Sequence, residues 1–198
     1  MKNIAKQILT VLCIMLGMFS QAQDEKTLEA QSADTIPGMD TLEAHPEAMV
    51  KFNMGNSHFD RGDYKTAISW FDQAIKIDPK FAKAYINKAG AQMKLGEKEQ
   101  AMKTYQKAAE NAKDPHVAYY LIGKTHLEGG AYEEAIKALN KAVEIEKKPN
   151  YYYYLGVAKF QSKAYLEAVQ AFSEAIKLDD QNAFAYHDRG SAKRQMEN

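Results

Sequence analysis

The chain has 198 residues and carries 26 Lys plus Arg against 26 Asp plus Glu, a formal net charge of zero. That balance excludes the strong one-signed field that recruits nucleic acid or an anionic membrane. Twelve tyrosines and eight phenylalanines against five prolines suit a packed helical array and exclude a chain that is disordered throughout.

The first 22 residues differ in kind from the rest. Lys2 and Lys6 form a short basic start, Ile8 to Phe19 is a mostly apolar run, and Ser20-Gln21-Ala22 sets small residues three and one before a cut ahead of Gln23. This is the layout of a secretory signal peptide over residues 1–22. The apolar run falls short of the roughly 20 residues that cross a bilayer, so a cleaved leader is expected rather than an uncleaved anchor. The single cysteine, Cys13, follows Leu12 inside that run, which does not fit a lipidation signal. Cleavage would leave an exported chain, periplasmic or extracellular, with no integral span, disulfide, thiol nucleophile or thiolate metal site.

Residues 23–47 read as an acidic tether. Asp24, Glu25, Glu29, Asp34, Asp40, Glu43 and Glu47 stand against Lys26 alone, and no helical periodicity is sustained. Low hydrophobicity with charge of one sign cannot offset chain entropy, so disorder is expected there. Pro46 is well placed to open the first helix, because its missing N–H would be unpaired in a first turn anyway.

From Ala48 onward small residues recur at a fixed interval. Gly55, Ala89, Gly123, Gly156 and Gly190 lie 34, 34, 33 and 34 residues apart. Ala67, Ala101, Ala135 and Ala168 follow the first four by 12 residues, and Ala74, Ala108, Ala142 and Ala175 follow seven later. A period near 34 marks a stack of helix pairs. The predicted units are residues 48–81, 82–115, 116–148 and 149–182, with 183–198 as a closing capping helix. Each unit splits at a turn: Arg61-Gly62-Asp63-Tyr64, Leu95-Gly96-Glu97-Lys98, Gly129-Gly130-Ala131-Tyr132 and Ser162-Lys163-Ala164-Tyr165. Lys163 takes the place of a glycine, so the fourth turn is expected to be strained or differently shaped.

Antiparallel helices approach closely where one offers Gly or Ala and the other a bulky residue. Phe71, Tyr105, Leu139 and Phe172 occupy one bulky slot in successive units. The third unit is one residue short between Ala142 and Gly156, which places the deletion in the turn near Lys147-Lys148-Pro149. Inside a helix it would rotate every later side chain by about 100°.

The pattern resembles the tetratricopeptide repeat (TPR) family. Tyr152, Leu155-Gly156, Tyr165, Ala168, Phe172 and Ala175 carry the resemblance in the fourth unit, and Met54-Gly55, Tyr64, Ala67, Phe71, Ala74 and Pro79 in the first. The resemblance implies an all-α, right-handed superhelical solenoid of antiparallel helix pairs. It also implies a protein–protein interaction module or scaffold that is not an enzyme and holds no cofactor. Lys51 and His58 depart from the usual aromatic or bulky residues, and Ala89 replaces a glycine. Arg189 and Lys193, where the preceding unit has Leu155 and Lys159, fit a last helix with a polar outer side.

Chemistry has little foothold. His45, His58, His116, His126 and His187 are scattered without metal-ligand spacing, and no HExxH motif or serine nucleophile elbow occurs. His58 and His126 occupy equivalent slots and read as structural. Gly129-Gly130 reads as a turn, Asp179-Asp180 as a solvated helix end. Arg61-Gly62-Asp63 spells an adhesion tripeptide, but repeat grammar explains it, since the next unit has Leu95-Gly96-Glu97.

The resemblance puts the first helix of each pair on the concave side. The expected partner-binding groove is Phe52, Asn53, Asn56, Asn87, Met93, Tyr120, Leu121, Lys124, Leu127, Tyr153, Tyr154, Val157 and Phe160. Of the four tyrosines 151–154, Tyr152 is expected in the core and Tyr153 and Tyr154 at the groove. The alternative for Tyr153 and Phe160 is packing between repeats. Asn56 and Asn87 match a carboxylate-clamping subgroup, but Phe52, Val117 and Leu121 stand in its basic positions, so a clamp is not expected. The anticipated partner is a peptide or helix of another protein, with self-association into a homo-oligomer as the alternative. An enzyme or glycan-binding protein is the third reading, and no nucleic acid partner is expected.

Overall fold

The helix-pair reading is realised in a computed structural model that describes residues 44–197. The leader and nearly all of the acidic tether lie outside the described residues. Among those described, nine helices follow one another: α1 (Pro46–Asp60), α2 (Tyr64–Ile77), α3 (Ala82–Lys94), α4 (Lys98–Asn111), α5 (His116–Glu128), α6 (Tyr132–Ile145), α7 (Pro149–Gln161), α8 (Tyr165–Leu178) and α9 (Ala183–Met196). The architecture is an all-α solenoid of antiparallel helix pairs, as the resemblance implies. Each helix packs on its chain neighbours, and α1 also touches α3, α5 touches α7, and α7 touches α9.

Pro46 sits at the first turn of α1 and Pro149 at that of α7, where the lost N–H costs no helical bond. The linkers between pairs are residues 78–81, 112–115, 146–148 and 179–182. The third is one residue shorter, so the missing residue falls outside every helix and leaves the side-chain phase of α6 and α7 intact.

The small-against-large rule accounts for the core. A Cβ on Gly123 would stand 2.5 Å from Leu139 Cγ, and one on Gly156 2.6 Å from the Phe172 ring. Gly55 faces the Phe71 ring in the same way, and Ala89 and Tyr105 share one buried cluster. Phe71, Leu139 and Phe172 are the largest fully buried side chains.

The fourth turn has the same shape as the others. Gly62, Gly96 and Gly130 have φ of 78°, 79° and 77°, and Lys163 adopts 68°. The hydrogen bonds repeat as well: Lys163 N–H donates to Phe160 O and Ala164 N–H to Lys159 O, as Gly62 does to Phe59 and Asp63 to His58. The backbone shape therefore holds and Lys163 bears the strain of a left-handed residue with a Cβ. Lys163→Gly is expected to stabilise the fold by about 0.5–1 kcal/mol, read from the urea midpoint at unchanged slope.

Candidate functional site

The first helices α5 and α7 share a cluster of aromatic and cationic contacts. On α5 and α7, Tyr120 stacks on Tyr151 with centroids 4.7 Å apart and meets Tyr154 edge-on at 5.6 Å. Lys124 Nζ lies 5.0 Å from the Tyr154 centroid and 5.8 Å from that of Tyr120. These rings present apolar faces and hydroxyls beside a fixed positive charge, a combination suited to rigid, amphipathic recognition.

The thirteen residues expected to line the groove do not form one surface. Tyr120, Lys124 and Tyr154 come together in the cluster just described. Asn56 and Asn87 also meet, Asn87 Nδ2 donating to Asn56 Oδ1 at 2.7 Å across α1 and α3. Met93 and Leu121 flank the core cluster of Ala89 and Tyr105, Leu127 that of Leu139, and Val157 and Phe160 that of Phe172. Phe160 also meets Tyr165 edge-on at 5.5 Å. Asn53 is exposed.

Two of the thirteen are buried. Phe52 is 9% exposed and packs between Phe81 at 4.9 Å and Phe71 at 5.8 Å. Lys51, in the neighbouring slot, sets its Nζ over the Trp70 ring at 5.3 Å. Tyr153 is 8% exposed, packs on Phe172 at 5.9 Å, and donates its hydroxyl to Asp188 Oδ2 at 3.0 Å. It ties α7 to α8 and α9, the packing alternative rather than the groove.

Tyr152 is half-buried, and the tyrosines at the core are Tyr151 and Tyr153. Tyr151 fills a slot held by buried alanines in other units, Ala84, Ala118 and Ala185. A tyrosine in an alanine slot needs a polar partner, and His116 supplies it: His116 Nδ1 lies 2.6 Å from the Tyr151 hydroxyl. His116 Nε2 is 3.7 Å from Asp114 Oδ2. The alanine-to-tyrosine change is the signal in the sequence that would have pointed to this pair. Burial pushes the His116 pKa down, helped by the Lys148 charge and opposed by Asp114 and Glu146. Burial likewise pushes the Tyr151 phenol up. A buried neutral imidazole therefore binds protons more weakly than in the unfolded chain, so its contribution is complete above about pH 6.5 and is lost as pH falls. The melting temperature is expected to drop from pH 7 to pH 5, and His116→Asn is expected to flatten that slope.

His58 has a packing role, as expected. His58 Nδ1 bonds Asp63 Oδ2 at 3.0 Å and its ring stacks on Trp70 at 6.5 Å. Among the described residues no group of three His, Cys, Asp or Glu side chains could hold a metal ion. No described helix is long and apolar enough to cross a membrane.

Two family models, both described as tetratricopeptide repeat, match residues 58–120 and 120–183 and together take in most of the chain. The chain belongs to the tetratricopeptide repeat family. Among TPR relatives, "Protein STIP1 homolog" of Dictyostelium discoideum is 33% identical over 82 residues, 41% of this chain and 14% of the relative. The chain spans less than a fifth of the curated relatives it matches. A crystal structure of MamA superposes with a TM-score of 0.68 at 21% identity, over 75% of this chain and 82% of MamA. YrrB, described as a TPR protein with an unusual peptide-binding site, superposes at 0.64 with 19% identity, over 88% of this chain and 84% of YrrB. At these identities the likeness is one of TPR fold.

Proposed function

We propose that this chain is a non-enzymatic interaction module that captures a peptide or helix of another protein on its first-helix surface. The observation that carries the reading is the Tyr120–Lys124–Tyr154 cluster, where a lysine held over two rings borders a stacked tyrosine pair. Tyrosine is enriched among the residues that supply most of the energy at protein interfaces. The TPR family supports the reading at the coarse level.

The decisive experiment is cross-linking pull-down from the native source, comparing the parent with a Lys124→Ala, Tyr154→Ala double variant. Recovery of the partner is expected to fall about tenfold at unchanged helicity. Equal recovery would move the binding surface elsewhere.

Export as an envelope scaffold is the finer part of the proposal, motivated by the layout of residues 1–22. Terminal sequencing of the native protein should begin at Gln23; a start at Met1 overturns it. A second reading, self-association, is favoured by Val50 and Met54 on α1, 60% and 45% exposed. Light scattering that returns a monomer at high concentration removes it.

A further inference from the structure

Helix α9 repeats the packing face of α7, and among the described residues no helix covers it. On α7, Tyr152, Gly156 and Lys159 form a stripe at helical spacing, and α8 lies against α7. Gly156 makes room for the Phe172 ring, and Lys159 Nζ meets Glu167 Oε2 at 3.3 Å. Tyr152 packs on the cluster that contains Ala168 and Phe172.

On α9 the same residues recur at the same spacing: Tyr186, Gly190 and Lys193. No other first helix keeps all three, the equivalents being Lys51, Gly55 and His58, then Tyr85, Ala89 and Gln92, then Tyr119, Gly123 and His126. Arg189 Cζ lies 5.3 Å from the Tyr186 ring centroid, and the rest of the α9 stripe is open among the described residues. A Cβ on Gly190 would meet only the end of the Arg194 side chain, at 3.7 Å. Tyr186 is 46% exposed, and Lys193 is exposed. Glycine inside a helix costs about 0.5–1 kcal/mol relative to alanine. At Gly156 the Phe172 ring accounts for that cost; at Gly190 nothing among the described residues does.

We infer that the Tyr186–Gly190–Lys193 stripe is a seat for an amphipathic helix of another protein. The occupant presents Phe or Leu to Gly190 and a carboxylate five residues earlier to Lys193. Its chemistry is read from α8, where Glu167 precedes Phe172 by five residues and Ala168 and Ala175 flank the ring. Docking there extends the α7–α8–α9 stack by one helix. Among the described residues a second copy has no spare helix of this type, because Phe71, Tyr105, Leu139 and Phe172 already fill their own cores. The seat shares no residue with the tyrosine cluster on α5 and α7.

The test is fluorescence anisotropy of a labelled peptide with the Tyr165–Leu178 sequence, titrated with the full chain. Saturable binding is expected, weakened about tenfold or more by Phe172→Ala in the peptide. Gly190→Leu in the protein is expected to weaken it as much at unchanged helicity. Lys193→Glu should weaken it too, with recovery when the peptide carries Glu167→Lys. Absence of saturation, or equal binding to the Gly190→Leu protein, overturns the seat. A dimer in sedimentation that Gly190→Leu dissolves would hand the seat to a second copy and overturn the assignment to another protein.

Discussion

Phe172→Ala is expected to destabilise the array by about 3–5 kcal/mol, the cost of emptying a large buried aromatic site. Phe172 has no alternative place to collapse: its ring lies against Gly156, which has no side chain to move inward. The same cluster joins α7, α8 and α9 through Tyr153, Ala168, Ala175, Ile176, Ala185 and Ala192. The loss is therefore shared by three helices, but only those three. In a solenoid each unit feels its neighbours and little else, so the damage should stay local. Trp70, the chain's single tryptophan, sits on α2 at the other end and reports on the first pair alone. In a urea series, the circular dichroism of the variant should begin to fall well before the Trp70 fluorescence shifts. Coincident transitions within about 1 kcal/mol of the parent would mean that the glycine notch is not the keystone of this end. Gly156→Ala should be milder, since about 1 kcal/mol of helix propensity offsets part of an overpacking cost of about 1–3 kcal/mol.

The notch pairs were legible because they depend on one local contrast, a residue without bulk opposite a residue with it, repeated at fixed separation. Gly55 with Phe71, Gly123 with Leu139 and Gly156 with Phe172 all follow from spacing alone. The turn at Lys163 was half-legible. The missing glycine was visible, but the outcome depends on whether tertiary packing can hold a lysine left-handed, and here the repeated hydrogen bonds to Phe160 and Lys159 hold it. The tyrosine quartet shows where sequence periodicity runs out. A first helix in a solenoid has neighbours on several sides, so two of four consecutive residues are buried in opposite directions. Tyr151 turns toward His116 on α5 and Tyr153 toward Phe172 and Asp188 on α8 and α9. A single apolar stripe cannot describe that. Phe52 was misplaced for a related reason: it holds the repeat slot of Tyr153 and likewise turns to the core, against Phe71 and Phe81.

Deleting Lys137 is expected to dismantle the third helix pair, although Lys137 itself is exposed and its loss removes no core contact. The deletion rotates the two halves of α6 by about 100° relative to each other. Ala135 lies on one side of the cut and Leu139 on the other, and both are held to the same point: a Cβ on Gly123 would lie 2.5 Å from Leu139 Cγ and 3.3 Å from Ala135 O. Only one half can keep its seat on α5. If the N-terminal half stays, Leu139, Ala142 and Val143 swing out of the cluster they share with Tyr151 and Leu155. If the C-terminal half stays, Ala135 leaves and the turn after Gly130 must unwind. Either way several buried side chains are exposed together, which puts the loss beyond the 4–5 kcal/mol that marks exceptional single changes. Lys137→Ala, which removes the side chain but not the residue, should lie within about 0.5 kcal/mol of the parent. The natural one-residue shortening at 146–148 is tolerated by contrast because it falls between helices, where it shifts no phase. Guanidinium melts of the deletion and of Lys137→Ala, side by side, check the argument. A deletion variant as stable as its alanine counterpart would mean that α6 slips freely in its groove and that the glycine notches do not set the fold's register.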